Sequence, residues 1–252
     1  DHGIDTIFGL PGGQLDHFFD ALHHKQDRVR LISTRHEQGA AYMAFGYARS
    51  TGRPAVYAVV PGPGVLNTTA ALCTAYACNS PVLCLTGQIP SAAIGKGFGA
   101  LHDIPDQLGG LRLLTKRAER IQRPTDAPHA VAAAFEAMLS GRPRPVALEM
   151  PPDVMASEDE VVPMLPAKLT PTEPDLEDIA RAARLVARAR CPMIYVGGGA
   201  TNACEEVLEL AELLEAPVVS FRSGRGVVAD DHPLGFTLPM GQAKLPGIAA
   251  ED

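Results

Sequence analysis

The chain has no tryptophan and few aromatic residues, 5% of its 252 positions. That lack excludes nothing, but other absences exclude more. No Cys-x-x-Cys pair occurs among Cys73, Cys78, Cys84, Cys191 and Cys204, and five is an odd number. Cys73, Cys78 and Cys84 lie in apolar surroundings. They read as buried small hydrophobes of a reducing compartment, ahead of zinc ligands or a nucleophilic thiol. No stretch approaches the roughly 18 uninterrupted apolar residues of a membrane span, so no membrane partner is expected. No basic run occurs and the formal net charge is −7, so no nucleic-acid partner is expected either. No internal repeat occurs at solenoid periods. No signal peptide is visible and a cytoplasmic protein is expected. The chain starts at Asp1 without Met, which suggests a missing N-terminal piece.

What is present is an ordinary globular composition, 46% hydrophobic and 20% charged. Short β-rich runs alternate with helical ones. DTIFGL, VRLIST, PAVYAVV, PVLCLTG, a segment around KRAERI and PVALEMP read as strands. Between them, GGQLDHFFDALHHK, EQGAAYMAFGYARSTG, VLNTTAALCTAYACN and TDAPHAVAAAFEAMLSG read as helices, with a glycine-rich loop over 87–111. Apolar strands without alternation indicate a doubly wound α/β domain: a mostly parallel sheet with helices on both faces. The expected boundaries are a first domain at 1–157, a linker at 158–174 rich in Pro and charge, and an incomplete second Rossmann-like α/β domain at 175–252. The second domain has too few strands to be whole, so the chain reads as part of a longer protein.

Four strand ends carry unusual loops: GLPGGQ (9–14), TRHEQG (34–39), VPGPGVLN (60–67) and TGQIPS (86–91). A parallel sheet gathers such loops on one edge, where they can share a cleft. Each alone also reads as a tight turn. At Gly62–Gly64 the prolines remove backbone donors that a phosphate would use. Glu37 has two readings. A carboxylate at a helix start is favoured by the helix dipole, by about 0.3–1 kcal/mol. Yet Thr34 or a neighbour can cap this helix, and Gly39, Ala40, Ala41 and Ala44 leave room for another surface to approach. Glu37 is therefore also a candidate proton carrier.

With these loops in this order, the chain resembles the thiamine-diphosphate enzymes of the acetolactate synthase and benzaldehyde lyase type. The resemblance is carried by FGLPGG, RHEQGAAYMAFGYARSTGRP, GPGVLN, NSPVLCLTGQIP, GRPRPVALEMPPDV and YVGGGA. It implies that residues 1–157 hold the aminopyrimidine of thiamine diphosphate. The diphosphate and Mg²⁺ would be held mainly by a third domain with a Gly-Asp-Gly motif, which is absent here, so no metal ligand is expected in this chain. Glu37 would be the catalytic residue, hydrogen-bonded to N1′ of the aminopyrimidine and promoting loss of the thiazolium C2 proton. Pro11, Gly12, Pro63 and Asn67 would line the pyrimidine pocket with it.

The implied protein is a carboligase, lyase or decarboxylase acting on a 2-keto acid, aldehyde or 2-hydroxyketone. A second copy of the chain, in a dimer or tetramer, would complete the site. The loop IGKGFGALHDIPDQLGG lacks the Phe-Gln-Glu of the synthases. Ala100 stands where the Gln would be, and His102 is a weak substrate-facing candidate. Arg142 and Gly197, Gly198 and Gly199 match positions that touch FAD in the synthases, while FRSGRGVVADDHPLG matches poorly and speaks against FAD. Two other readings stay open. One is a non-catalytic assembly module that kept the fold. The other is a nucleotide-binding dehydrogenase built on GGG, which lacks the full G-x-G-x-x-G spacing.

Overall fold

The computed structural model of the chain describes residues 2–169 and 173–237. It divides into two compact units, Asp1–Pro171 and Thr172–Asp252.

Among the described residues, the first unit is built on six strands: β1 (Thr6–Gly9), β2 (Arg30–Ser33), β3 (Ala55–Val59), β4 (Val82–Gly87), β5 (Ala118–Arg120) and β6 (Val146–Met150). They lie in the order β2-β1-β3-β4-β6-β5, and every pairing is parallel. The central strand β3 is buried at all five positions, which is why its sequence does not alternate. Its side chains still divide by the period of two: Tyr57 packs on one face, Val56 and Ala58 on the other.

Among the described residues, seven helices accompany this sheet: α1 (Asp16–His23), α2 (Glu37–Thr51), α3 (Pro63–Leu66), α4 (Thr69–Ala77), α5 (Gln107–Leu114), α6 (Ala127–Leu139) and α7 (Pro152–Met155). α2, α4 and α5 pack on the Tyr57 face, α1 and α6 on the opposite one. The buried stripe of α2 is wholly alanine, Ala40, Ala41, Ala44 and Ala48, so the helix axis lies close to the sheet. Gly52 closes α2 at φ +68°, the left-handed conformation that glycine adopts without cost.

Three local expectations need correction. The run 65–79 is not one helix but α3 and α4 with a break at Asn67–Thr68. Thr68 is buried there; its hydroxyl donates to the Val65 carbonyl at 2.7 Å and accepts from the Tyr57 hydroxyl at 2.9 Å. The loop expected over 87–111 ends earlier, because Asp106 caps α5 by accepting from the Gly109 N–H at 2.8 Å. Of the three cysteines read as buried, only Cys84 is so. Cys73 is exposed and Cys78 half-buried, since α4 turns Ala71, Leu72 and Ala75 inward instead.

Chain order in the sheet reverses between β1 and β3: β2 lies outside β1, and the later strands all lie beyond β3. The carboxyl ends of β1 and β3 therefore border the crevice where open α/β sheets bind ligands. After β6 and α7, residues 157–169 form no helix or strand.

The second unit contains α8 (Leu176–Val186), β7 (Ile194–Val196), α9 (Cys204–Leu214), β8 (Val218–Ser220) and β9 (Gly235–Thr237). Its strands are parallel in the order β7-β8-β9. Val196, Ala211, Val218, Val227 and Val228 form its core. β9 was not anticipated from the sequence.

Candidate functional site

The loops after β1 and β3 meet on one side chain, Val60. A Cβ on Gly12 would lie 2.5 Å from Val60 Cγ1, and a Cβ on Gly64 would lie 2.5 Å from Val60 Cγ2. Both positions therefore need glycine while valine stands between them. The loop after β4 joins the same cluster: a Cβ on Gly87 would lie 2.9 Å from the Gln14 carbonyl and 3.1 Å from Pro61 Cδ.

Gly62 turns the chain from β3 into α3. It adopts φ +59° and ψ −121°, and a Cβ there would lie 2.4 Å from the His102 carbonyl oxygen. Both conformation and space restrict the position to glycine. Pro63 follows at the first helical position, where its missing N–H costs no hydrogen bond. Asn67 ends α3, with its N–H donating to the Pro63 carbonyl at 3.0 Å.

Glu37 is the first residue of α2 but does not cap it. His36 does, with Nδ1 accepting from the Gln38 N–H at 3.2 Å; accepting there requires Nδ1 to be unprotonated. Thr34 instead donates its hydroxyl to the His36 carbonyl at 2.9 Å. The Glu37 side chain, 14% exposed, turns toward the β3 loop. Asn67 Nδ2 donates to Glu37 Oε2 at 3.0 Å. Oε1 faces Gly64, 3.6 Å from where a Cβ would stand, and makes no hydrogen bond among the described residues. The carboxylate thus has one oxygen fixed by a neutral donor and one available to a further donor.

Glu37, Asn67, Gly12, Pro63 and Gly64 belong to this one edge of the sheet, with exposed Pro11 at its rim. Ala100 and His102 lie on the loop beyond it. The His102 backbone touches Gly62 and adopts φ +73°, and its Nδ1 is buried without a hydrogen-bond partner among the described residues. Ala100 is half-buried and its carbonyl accepts from the Asp103 N–H at 2.9 Å. Arg142 stands apart. It is exposed before the start of β6, on the strand-entry edge opposite Glu37, and its carbonyl accepts from Lys116 Nζ at 3.1 Å. Gly197, Gly198 and Gly199 belong to the second unit, where they lead from β7 into a 3-10 turn. A Cβ on Gly198 would meet Ser223 Oγ at 2.8 Å, so the glycines there admit close packing of their own loop.

Sequence reasoning missed a buried polar cluster beneath the loops. Glu149 of β6 is 0% exposed. Its Oε1 accepts from Arg120 Nε at 2.6 Å, and its Oε2 accepts from Gln107 Nε2 at 2.7 Å and Gln88 Nε2 at 3.3 Å. The available signal was a single carboxylate inside the apolar strand VALEM. At the rim, Asp153 of α7 accepts from both the Ser91 N–H, at 2.9 Å, and the Ser91 hydroxyl. Burial pushes this carboxyl upward, but the Ser91 bonds and nearby backbone N–H groups outweigh it. They hold Asp153 below its ordinary value.

Two family models match the chain. Residues 1–109 match "Thiamine pyrophosphate enzyme, N-terminal TPP binding domain", and residues 179–248 match "Thiamine pyrophosphate enzyme, central domain". Among curated relatives, the chain is 40% identical over 243 residues to a "Probable acetolactate synthase large subunit" of Methanocaldococcus jannaschii, covering 93% of this chain and 40% of the relative. It is 36% identical over 258 residues to an acetolactate synthase of Arthrospira platensis, covering 98% and 44%. It is 37% identical over 238 residues to a "Probable 2-ketoarginine decarboxylase" of Pseudomonas aeruginosa, covering 92% and 42%. The chain thus spans roughly two fifths of the length of the relatives it matches.

Proposed function

Because the chain belongs to the thiamine pyrophosphate enzymes, matching their N-terminal and central domains, we propose a specific activity for its parent protein. It is a thiamine-diphosphate-dependent carboligase, lyase or decarboxylase acting on a 2-keto acid or 2-hydroxyketone, of the acetolactate synthase type. The observation that carries this reading is the Glu37 carboxylate at the switch-point edge, with Oε2 held by Asn67 and Oε1 open beside Gly64.

These residues suit an aminopyrimidine ring. Oε1 is an acceptor that makes no hydrogen bond among the described residues, and a nitrogen donor needs such a partner. When bound, thiamine diphosphate supplies an electron sink for carbon–carbon bond chemistry. Glu37 would hold the proton shared with the ring nitrogen. Asn67 would orient the carboxylate, and the Pro11–Gly12 and Pro63–Gly64 loops would flank the ring and exclude water.

Mg²⁺ would bind mainly outside this chain. Among the described residues, no three His, Cys, Asp or Glu side chains are grouped to hold a metal, and no Gly-Asp-Gly occurs. FAD is a less favoured cofactor, because FRSGRGVVADDHPLG matches the synthase pattern poorly. Exposed Tyr42, Met43 and Leu66, on α2 and α3, support a second copy of the chain as partner, in a dimer or tetramer. The proposed division is a pyrimidine-binding domain at 1–157, a linker at 158–174 and an incomplete middle domain at 175–252. Free cysteines among the described residues fit a reducing compartment, the cytoplasm.

The test is Glu37→Gln in the full-length enzyme, assayed with thiamine diphosphate, Mg²⁺ and a panel of 2-keto acids and aldehydes. Loss of an acid–base group should lower turnover by at least about 10²-fold. Unchanged turnover removes Glu37 from the mechanism.

A further inference from the structure

Gln107 lies outside every motif that suggested the function, yet it joins three parts of the site edge. Its Oε1 accepts from the Gly62 N–H at 2.8 Å. Its Nε2 donates to the Gly87 carbonyl at 3.0 Å and to Glu149 Oε2 at 2.7 Å. The amide orientation follows from chemistry, since Gly62 N–H can only donate and the Gly87 carbonyl can only accept. The side chain type matters for the same reason. A glutamate would offer no donor to Gly87 or Glu149, and an aliphatic residue would offer nothing.

Gln107 is also rigidly held. It is 2% exposed, and its Glu149 partner is a buried carboxylate fixed by Arg120 at 2.6 Å. A buried carboxylate held by three hydrogen bonds, one of them from a guanidinium, does not yield easily to rearrangement. At the other end of Gln107 stands Gly62, whose Cβ space is filled by the His102 carbonyl. Segment 102–107 therefore grips the entry to α3 from two sides. α3 is one turn long and has no side-chain cap at its start. A single turn is marginal by itself, so its placement depends on what holds its two ends. Gln107 holds the first, and the Asn67–Glu37 bond holds the last.

We propose that Gln107 is a positioning residue: anchored by the Glu149–Arg120 pair, it fixes the α3 turn through Gly62 and so keeps Asn67 on the Glu37 carboxylate. This rests on the proposed role of Glu37. It extends that role by assigning the orientation of the carboxylate to a buried side chain that never meets the cofactor.

The test uses the full-length enzyme with thiamine diphosphate and Mg²⁺. Gln107→Leu should lower kcat about tenfold or more, because small misplacements of a catalytic group are costly, while KM for the keto acid changes much less. In an Asn67→Ala background the same substitution should cost less than about threefold, since the two act along one path. Amide hydrogen exchange at Gly62, measured without substrate, should speed up in the Gln107 variant. Gln107→Met, unbranched and close in volume, serves if the leucine variant does not fold. An equal cost of the Gln107 substitution with and without Asn67 overturns the proposal, and so does unchanged exchange at Gly62. Unchanged turnover on Glu37→Gln would instead overturn the functional reading. The Gly62 exchange would still decide whether Gln107 holds the turn.

Discussion

The carboxamide of Asn67 donates to Glu37 Oε2 at 3.0 Å across 30 residues of sequence, joining the end of a one-turn helix to the first residue of a long one. The donor is neutral and short, so it orients the carboxylate without adding charge. Asn67→Ala removes the orientation and Asn67→Asp sets a second carboxylate against the first. The expected order of kcat/KM in the full-length enzyme is Asn, then Ala about tenfold lower, then Asp lower still, because a like charge at contact opposes the ionised form. Equal activity of the Ala and Asp variants would remove the contact from the site.

Gly62 should be far less replaceable than a glycine in open surroundings. Gly62→Ala must relieve both φ +59° and a 2.4 Å approach to the His102 carbonyl. Strain of this kind costs about 1–3 kcal/mol before any steric shift is counted. Gly110→Ala lies inside α5 with no atom within 4 Å of the new methyl group, and should stabilise by up to about 1 kcal/mol. Thermal melts of the two variants should therefore move in opposite directions.

Burial of Glu149 makes the two members of its ion pair with Arg120 unequal. Arg120→Met strands an unexposed carboxylate and should destabilise by about 3–5 kcal/mol. Glu149→Gln strands no charge: its carbonyl still accepts from Arg120, although its amide then faces the Gln88 and Gln107 donors, and it should cost less. Denaturant titration of both variants gives the comparison. A larger loss for Glu149→Gln would contradict the burial argument.

Cysteine reactivity should follow burial. Burial pushes the Cys84 thiol up to about 12, despite a hydrogen bond with Tyr57 that pulls it down. The reactive thiolate is thus nearly absent at pH 8. Alkylation of the folded protein followed by mass spectrometry should mark Cys73 and spare Cys84. Rapid labelling of Cys84 at pH 8 would show that this part of the sheet opens readily.

The Ser91–Asp153 contact should appear in the acid limb of stability. The folded carboxyl lies below its ordinary 3.8. Its contribution is therefore fully present above that value and is lost as pH falls through the lower, folded value. Ser91→Ala removes the hydroxyl donor, so acid unfolding should begin at a higher pH. Coincident acid transitions for the two proteins would refute the link.

The sheet was legible because its strands carry apolar runs without alternation, punctuated by glycine and proline. Val56, Tyr57 and Ala58 are apolar in a row because both sides of β3 are covered. The break between α3 and α4 was not legible. Hydrophobic period runs through Thr68, and only the partners of its hydroxyl reveal the turn. Glu37 could be singled out from its position at a strand end, whereas its orientation could not, because His36 rather than Thr34 caps the helix. The Gln88, Gln107, Arg120 and Glu149 cluster was hidden for a simpler reason. Its members are scattered over some 60 residues, and the neighbouring of β4, β6 and β5 together with the placement of the α5 start brings them together.

Positions 12, 60 and 64 share one fixed volume, since the two γ-methyl groups of Val60 occupy the space that side chains on Gly12 and Gly64 would need. They behave as a single unit for engineering. A library that varies one of them alone will return mostly inactive proteins. Shrinking Val60 to alanine is what should admit a methyl group at either glycine, so the floor of the site can be redrawn only by trading atoms among all three.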